Sequence, residues 1–383
     1  MAFDFRPLAI ATAGFSAFVN LYSPQALLPE LAREFNVGPG EISTLMTAGT
    51  AAIALTAPFT GALADVLGRK RLISAAMFAI AVPTLIIMLA TSVPQLVFWR
   101  FVQGLLLPPI FTVSVAYVGD EWPPREVPRV AGLFIAGSSV GGFCGRFVTG
   151  AVADLAGWRA SFAAAAAITL IAAAIVTLTL PRESCFVRSG GFLASVRQML
   201  GHLRNPRLLA IYAVGFGVLF NFIGAFTYVS FHLAGPPYFF SSTLLGAIFV
   251  TYLAGTLIVP WIGRVIALVG RRRFILAVIA LWVLGALLLL APPVSIILAG
   301  LTICAICGLI CQAVSTGAVV TTAKDGRSSA AGLYASTFYI GGSVGAYLIG
   351  LVWHAAEWDG CVAVLVAMLA IMATIVAVAW ERS

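Results

Sequence analysis

The sequence predicts an all-α membrane protein of twelve transmembrane helices, arranged as two pseudo-symmetric six-helix bundles. Three observations predict it: a shortage of charge, twelve long apolar runs, and a repeat at about 200 residues. Hydrophobic types fill 61% of the 383 residues and charged types only 9%, where a soluble domain carries about a quarter. Lipid is the solvent that suits such a surface. A helix crossing the hydrocarbon needs roughly 20 apolar residues, and twelve of them with short turns use up the chain. A transmembrane barrel would show alternating segments of about ten residues; these runs are long and do not alternate.

The runs fall at 8–29, 42–64, 72–92, 95–118, 130–153, 160–180, 207–231, 242–266, 274–291, 294–320, 329–353 and 360–380, numbered here as spans one to twelve. Span one is too long for a signal-peptide core and is followed by more spans, so a retained helix is expected. An even number of spans puts both termini on one face. Of the 22 Lys and Arg, eighteen fall in the turns and ends of that face, only Arg33 and Arg159 on the other, and Arg100 and Arg146 within spans. The positive-inside rule makes the basic face cytoplasmic, in the cytoplasmic (inner) membrane. The same distribution accounts for the net charge of +8 without nucleic acid. Five of the six cysteines lie in apolar runs, so no extracellular disulfide framework is implied.

The longest polar stretch divides the chain into a first bundle, 1–181, a cytoplasmic linker, 182–206, and a second bundle, 207–383. A short amphipathic helix is expected around 192–203 of the linker. The bundles repeat one another. Gly14-Phe15 and Asn20 recur as Gly215-Phe216 and Asn221; Gly61 and Gly68-Arg69 recur as Gly263 and Gly270-Arg271. Ala131-Gly132-Leu133, Gly141-Gly142, Gly145, Gly150 and Trp158 recur 200 residues on, ending at Trp358. A duplicated bundle around a midplane cavity is a common transporter build.

The turn between spans two and three reads Gly61-Ala62-Leu63-Ala64-Asp65-Val66-Leu67-Gly68-Arg69-Lys70-Arg71. Its glycines permit a tight turn against a neighbouring helix. Asp65 is an acid placed to meet the positive end of another helix, with the start of span eleven near Ser328 and Ser329 as its expected partner. The arginines suit carboxylates at the end of span four, Asp120 and Glu121. With its spacing, the helix count, the linker and the repeat, the chain resembles the major facilitator superfamily over its whole length. The second half keeps Gly263, Gly270 and Arg271 but has Ala267 where Asp65 stands, so a charge-based latch is expected on the first half.

Arg100-Phe101-Val102-Gln103-Gly104 in span four resembles the Arg-x2-Gln-Gly signature of twelve-helix drug/proton exporters, and that resemblance implies a part for Arg100 in proton coupling. By residue type alone, Arg100 either faces a cavity or snorkels to the outer interface. Span five carries Gly137, Gly141, Gly145-Arg146 and Thr149-Gly150. Exporters of this type often have Gly-Pro and Gly-Gly there. Arg146 and Thr149 depart from that pattern, removing one support for the antiporter reading and adding a second intramembrane arginine. The Gly-Arg pair resembles the acriflavine-sensitivity (YnfM-like) branch.

None of the fourteen acids falls in the middle of a span. Glu30, at the outer end of span one, is the nearest proton-coupling candidate, with a solvated helix end as the alternative. Asn20 and Asn221 are expected to line the cavity or to bond between helices, and Gln103 to share the cavity of Arg100. Cys304, Cys307 and Cys311 share a face of span ten, where packing is expected in place of a metal site. The expected function is alternating-access transport, a proton-coupled efflux of a small amphipathic or anionic compound. The expected partners are that solute and the lipid bilayer, the chain acting as a monomer with no cofactor beyond a proton gradient. An uncoupled facilitator or uptake carrier is the nearer alternative. A membrane-embedded enzyme or a receptor is disfavoured, since the sequence has no His-Glu-x2-His and no intramembrane Asp pair. Arg100 and Arg146 are expected to share one wet cavity, with Glu30 reaching in when it is empty.

Overall fold

A computed structural model describes residues 5–183, 198–258, 262–323 and 326–380. Half of the helix expected at 192–203 lies outside these residues; of the other half, 198–202 are helical. The described chain is helical, and seven of its helices meet the length and apolarity of a membrane crossing outright. The rest of the twelve follow from how the chain folds. Val127–Thr179 contains a break at Gly157 (φ 84°), and Arg327–Ala379 a break at Ala356 and Glu357. Ser161 Oγ donates to the Thr149 carbonyl at 2.7 Å, and Cys361 Sγ approaches the Ile349 carbonyl at 3.6 Å. Twelve residues of straight helix would separate such groups by about 18 Å. Each long helix is therefore a hairpin: spans five and six in one, eleven and twelve in the other. The two pairs of contacts lie 200 residues apart, so the sequence repeat is also a structural one.

Three crossings fall short for local reasons. Span one is Arg6–Tyr22, only 17 residues, and stops seven residues before its apolar run does. Span eight begins at Ser242 and is interrupted by a 3-10 turn at Ile248–Val250. Span nine, Arg271–Leu288, opens with three arginines. Prolines divide two others. Pro58 sits in a 3-10 turn at Ala57–Phe59 of span two, and Pro108 begins the second segment of span four, as expected of residues that cannot continue the hydrogen-bond ladder.

Glycine sets the closest packing. Gly141 faces the Phe15 carbonyl and Gly341 the Phe216 carbonyl, at distances that leave no room for a Cβ. Span five thus lies on span one and span eleven on span seven, the close approach that small residues allow. The turn glycines differ from one another. Gly68 and Gly270 adopt φ 84° and 78°, as the tight turns require. Gly61 and Gly263 have nothing within 4 Å of where a Cβ would sit, so the expected close approach of a neighbouring helix at those two positions is incorrect.

The halves meet along two helix pairs. Span two meets span eleven: Ser343 Oγ donates to the Thr47 carbonyl at 2.8 Å and Ser336 Oγ to the Ala54 carbonyl at 2.9 Å. Span five meets span eight: Gly150 lies against Ser242 and Gly246 against the Arg146 backbone. The face holding both ends of the chain is called the terminal face below, and the other the opposite face.

Candidate substrate cavity

Arg100 and Arg146 flank the early end of span one, and each is held differently. Arg100 is 1% exposed. Its Nη1 donates to the Asn20 carbonyl at 2.9 Å and its Nη2 to the Leu21 carbonyl at 2.8 Å. Those carbonyls belong to the last turn of Arg6–Tyr22, where helix partners run out and the dipole is negative. The guanidinium is thus a C-terminal cap for span one. Its charge is opposed by a helix end, without a carboxylate.

Around this cap the side chains close a network. Arg100 Nη1 also bonds Gln103 Oε1. Gln103 Nε2 donates to Thr84 Oγ1 at 2.6 Å and to Asn20 Oδ1 at 3.1 Å. Asn20 Nδ2 reaches Thr169 Oγ1 at 2.7 Å. Spans one, three, four and six are joined, and every member is essentially water-free. Asn20, Arg100 and Gln103 therefore sit inside the first bundle and do not line the central cavity, which corrects their expected placement. Buried side chains gain most when each finds a partner, and every member of this network does, with Arg100 Nε left over. Snorkelling of Arg100 is also ruled out by its bonds.

Asn221, the counterpart of Asn20, is 1% exposed and turns away from the cavity as well. Its Nδ2 bonds the Gly217 carbonyl of its own helix at 2.8 Å and lies 3.8 Å from Met372 Sδ.

Arg146 is just as buried, at 0% exposure, but it stands in the wall of the cavity. A partly open space of about 230 Å³ lies between the halves, walled by spans one, five, seven, eight, ten and eleven. Phe18, Phe134, Phe222 and Phe338 make much of its surface; Gln312 adds a polar group, and Arg146 is the one formal charge among the described lining residues. Arg146 Nε donates to Gln25 Oε1 at 2.7 Å, and Nη1 to the Gly142 carbonyl at 2.7 Å. Gln25 in turn donates to Thr227 Oγ1 of span seven at 3.0 Å. The guanidinium carbon lies 3.8 Å from the Tyr22 ring centre, 4.2 Å from Phe249 and 4.7 Å from Tyr252. An aromatic cage therefore offsets part of the charge. The expected pairing of both arginines in one cavity with Glu30 does not occur. Span one ends between them, and Glu30 Oε2 instead accepts from Ser242 Oγ at 3.0 Å.

That contact belongs to a closure of the opposite face. Asp154 Oδ1 accepts from the Ser242 backbone N–H at 3.1 Å, and Oδ2 from that of Thr243 at 2.9 Å. Both donors are in the first turn of span eight, where a carboxylate is favoured. On the terminal face Arg69 pairs with Asp120, as its position in the motif predicts, and donates to the Ala116 carbonyl at 2.7 Å. The carboxylate of Glu183 accepts from the backbone of Arg69 at 3.0 Å and of Lys70 at 3.3 Å. Asp65 and Lys70 are half-buried and Arg71 is exposed. Ser329, an expected partner of Asp65, donates instead to Gln198 Oε1 at 3.1 Å; the Ser328 side chain is outside the described residues. Cys304, Cys307 and Cys311 are buried in the packing of span ten. Sequence reasoning missed Tyr22, Gln25, Tyr252, Asp154 and Glu183. Only Asp154 and Glu183 carried a signal, as acids beside span ends.

The comparisons agree with this architecture. Residues 10–258 match the family profile described as Major Facilitator Superfamily. The chain is 29% identical over 368 residues to the inner membrane transport protein YnfM of Escherichia coli (strain K12), covering 95% of this chain and 88% of that protein. It is 28% identical over 368 residues to the uncharacterized MFS-type transporter YybF of Bacillus subtilis (strain 168), covering 95% and 91%. Among solved structures its fold is similar to that of the nucleoside transporter NupG, with a TM-score of 0.80 at 14% identity over 98% of this chain and 100% of that one. With the profile matching well over half its length, the chain belongs to the major facilitator superfamily, and it is a membrane transporter.

Proposed function

We propose that the chain is a proton-coupled exporter of a small amphipathic or anionic solute, working by alternating access in the cytoplasmic membrane. The observation that carries this is the cavity between the halves, rich in aromatic rings and bearing one guanidinium. The opposite face is fastened by Asp154 and Glu30 onto Ser242, so a solute held there is shut off from that side. Eighteen basic residues of 22 assign the terminal face to the cytoplasm. The name of the YnfM relative supports the inner membrane.

For coupling, Glu30 is the favoured carboxylate. Its bond to Ser242 crosses between the halves, and a proton taken up there weakens an acceptor that holds the gate shut. Arg100 acts indirectly, by fixing the end of span one that leads to Glu30. Reconstitution into proteoliposomes, with and without a pH gradient, tests the proposal. Gradient-dependent movement of an anionic amphipath is expected, and Glu30→Gln should remove the dependence on pH. Equal rates with and without the gradient would make the chain a facilitator.

The motif after span two supplies the opposing gate. Asp65→Asn should reduce transport several-fold while leaving membrane insertion intact, and Ala267→Ser should change little. Equal losses would end the idea of a latch confined to the first half.

A further inference from the structure

We infer that the cavity is a receptor for one small aromatic monocarboxylate, with Arg146 Nη2 and the Tyr252 hydroxyl as its donors. This rests on the reading of the cavity as the transport site and names the solute class for it. Two of the three guanidinium nitrogens are occupied, Nε by Gln25 and Nη1 by the Gly142 carbonyl. Nη2 is buried with no hydrogen-bond partner, and so is the Tyr252 hydroxyl. Both residues belong to the cavity wall. A bare buried donor costs stability; Arg100 Nε is also bare, inside the first bundle, but at Arg146 and Tyr252 two such donors stand together in the wall of one cavity. The rings over the guanidinium offset part of its charge, and Nη2 stays without a hydrogen-bond partner among them. What the site lacks is an anionic oxygen acceptor.

The rest of the cavity sets the remainder of the ligand. Arg146 is the one formal charge among the described lining residues, which suits a single carboxylate and repels a cation. Phe18, Phe134, Phe222 and Phe338 line it, and against such rings an aromatic body packs better than a hydrated one. At about 230 Å³ the space falls below the roughly 300 Å³ at which pockets for drug-sized ligands begin. One ring with one carboxylate fits it; a polycyclic dye does not. A halide or acetate would satisfy the donor but leave the aromatic walls unfilled.

The bonds on either side of Arg146 orient it for this task. Gln25 is fixed by Thr227 from the second half, so the guanidinium is held by span one and span five while span seven holds its holder. Phe249 and Tyr252 cover it from span eight. When the halves part on the opposite face, these second-half groups leave and the anion anchor becomes wet. Binding and release of the carboxylate are thereby linked to the position of span eight.

Calorimetric titration of the purified full chain in detergent tests the inference, with benzoate as probe. Benzamide, of the same shape without charge, should bind at least about tenfold more weakly, as should acetate and chloride. Arg146→Gln should weaken benzoate binding by about tenfold to a hundredfold, the factor set by a charge-assisted hydrogen bond. Tyr252→Phe, which keeps the packing, should weaken it about threefold to tenfold. Equal binding of benzoate and benzamide by the unaltered protein overturns the inference even if Arg146→Gln does not fold. So does unchanged benzoate binding by Tyr252→Phe together with Arg146→Gln, or displacement of benzoate by equimolar chloride. Benzoate that binds but never crosses proteoliposomes refutes the transport reading and leaves the receptor standing. A neutral or cationic solute that crosses while benzoate fails to bind does the reverse.

Discussion

The two halves share one helical plan but spend polarity differently. In the first half Asn20 anchors Thr84, Arg100, Gln103 and Thr169 across four spans. In the second half Asn221 occupies the equivalent place with its own helix carbonyl and Met372. Leu369 stands 200 residues after Thr169, and span ten, Val294–Thr322, carries no charged residue. The same packing is thus reached with an apolar core. The fold does not require the network, so the network serves something the first half does and the second does not. Capping the early end of span one is that task, because the turn beyond Tyr22 carries Gln25 and Glu30, which reach Arg146 and Ser242.

Replacing the paired asparagines breaks or sharpens this contrast most strongly. Asn20→Leu removes the acceptor for Thr84 and Gln103 and the donor to Thr169, leaving buried polar groups without partners. A loss of about 2–3 kcal/mol is expected, given that interhelical hydrogen bonds in membranes contribute less than the cost of stranding their partners. Asn221→Leu strands no polar side chain, because Asn221 Oδ1 has no partner to begin with, and should lie within about 1 kcal/mol of the unaltered protein. Thermal unfolding in detergent reads both. Equal losses would mean that the two asparagines do the same work and that the asymmetry is only one of composition.

A second contrast lies at the opposite face. Asp154 fastens the start of span eight through two backbone N–H groups. His354, 200 residues on, lies against Gly38 at the start of span two. A carboxylate is favoured at a helix start and an imidazole gains little there. Asp154→Asn should therefore shift the gate toward opening on this face by about fivefold, roughly 1 kcal/mol, and His354→Asn by less than twofold. Spin-label distances between spans five and eight measure the first, and between spans two and eleven the second. A larger effect from His354 would reverse the assignment of the fastened pair.

How much of this was legible in the sequence depends on what carries each contact. The spans were legible because apolar length is a local property. Their ends were not: the apolar run at 8–29 gives no hint that the helix stops at Tyr22, since its cap is a side chain 80 residues away. Arg146 stood out as a charge in lipid. Tyr22 and Tyr252 did not, because nothing marks two tyrosines among 26 Phe and 9 Tyr as the ones that will stack on it. Asn20, Gln103 and Arg100 stood out as polar groups within spans and were expected in the cavity. Their placement failed because a polar residue in a span is satisfied equally well by a cavity or by its neighbours, and only the packing decides. Asp154 and Glu183 bond backbone amides, which every residue has, so no partner could be named in advance.

The smallest expected effect concerns the terminal face, where the motif of the first half holds an ion pair. Arg69 pairs with Asp120, and Arg271, its counterpart, reaches Thr321 Oγ1 at 3.4 Å. The paired side chains are 17% and 40% exposed, so water and salt screen them and an ion pair of this kind contributes less than about 1 kcal/mol. Arg69→Gln should lower stability by about 0.5 kcal/mol at low salt, and less as salt rises. Arg69 also donates to the Ala116 carbonyl, a bond that Gln can partly replace and salt does not screen, so the residue of the Arg69→Gln effect at high salt measures that bond alone. A salt-independent loss as large as that of Asn20→Leu would show that Arg69 is a structural clamp, and the contrast between the halves would then rest on the terminal face and not on the buried network.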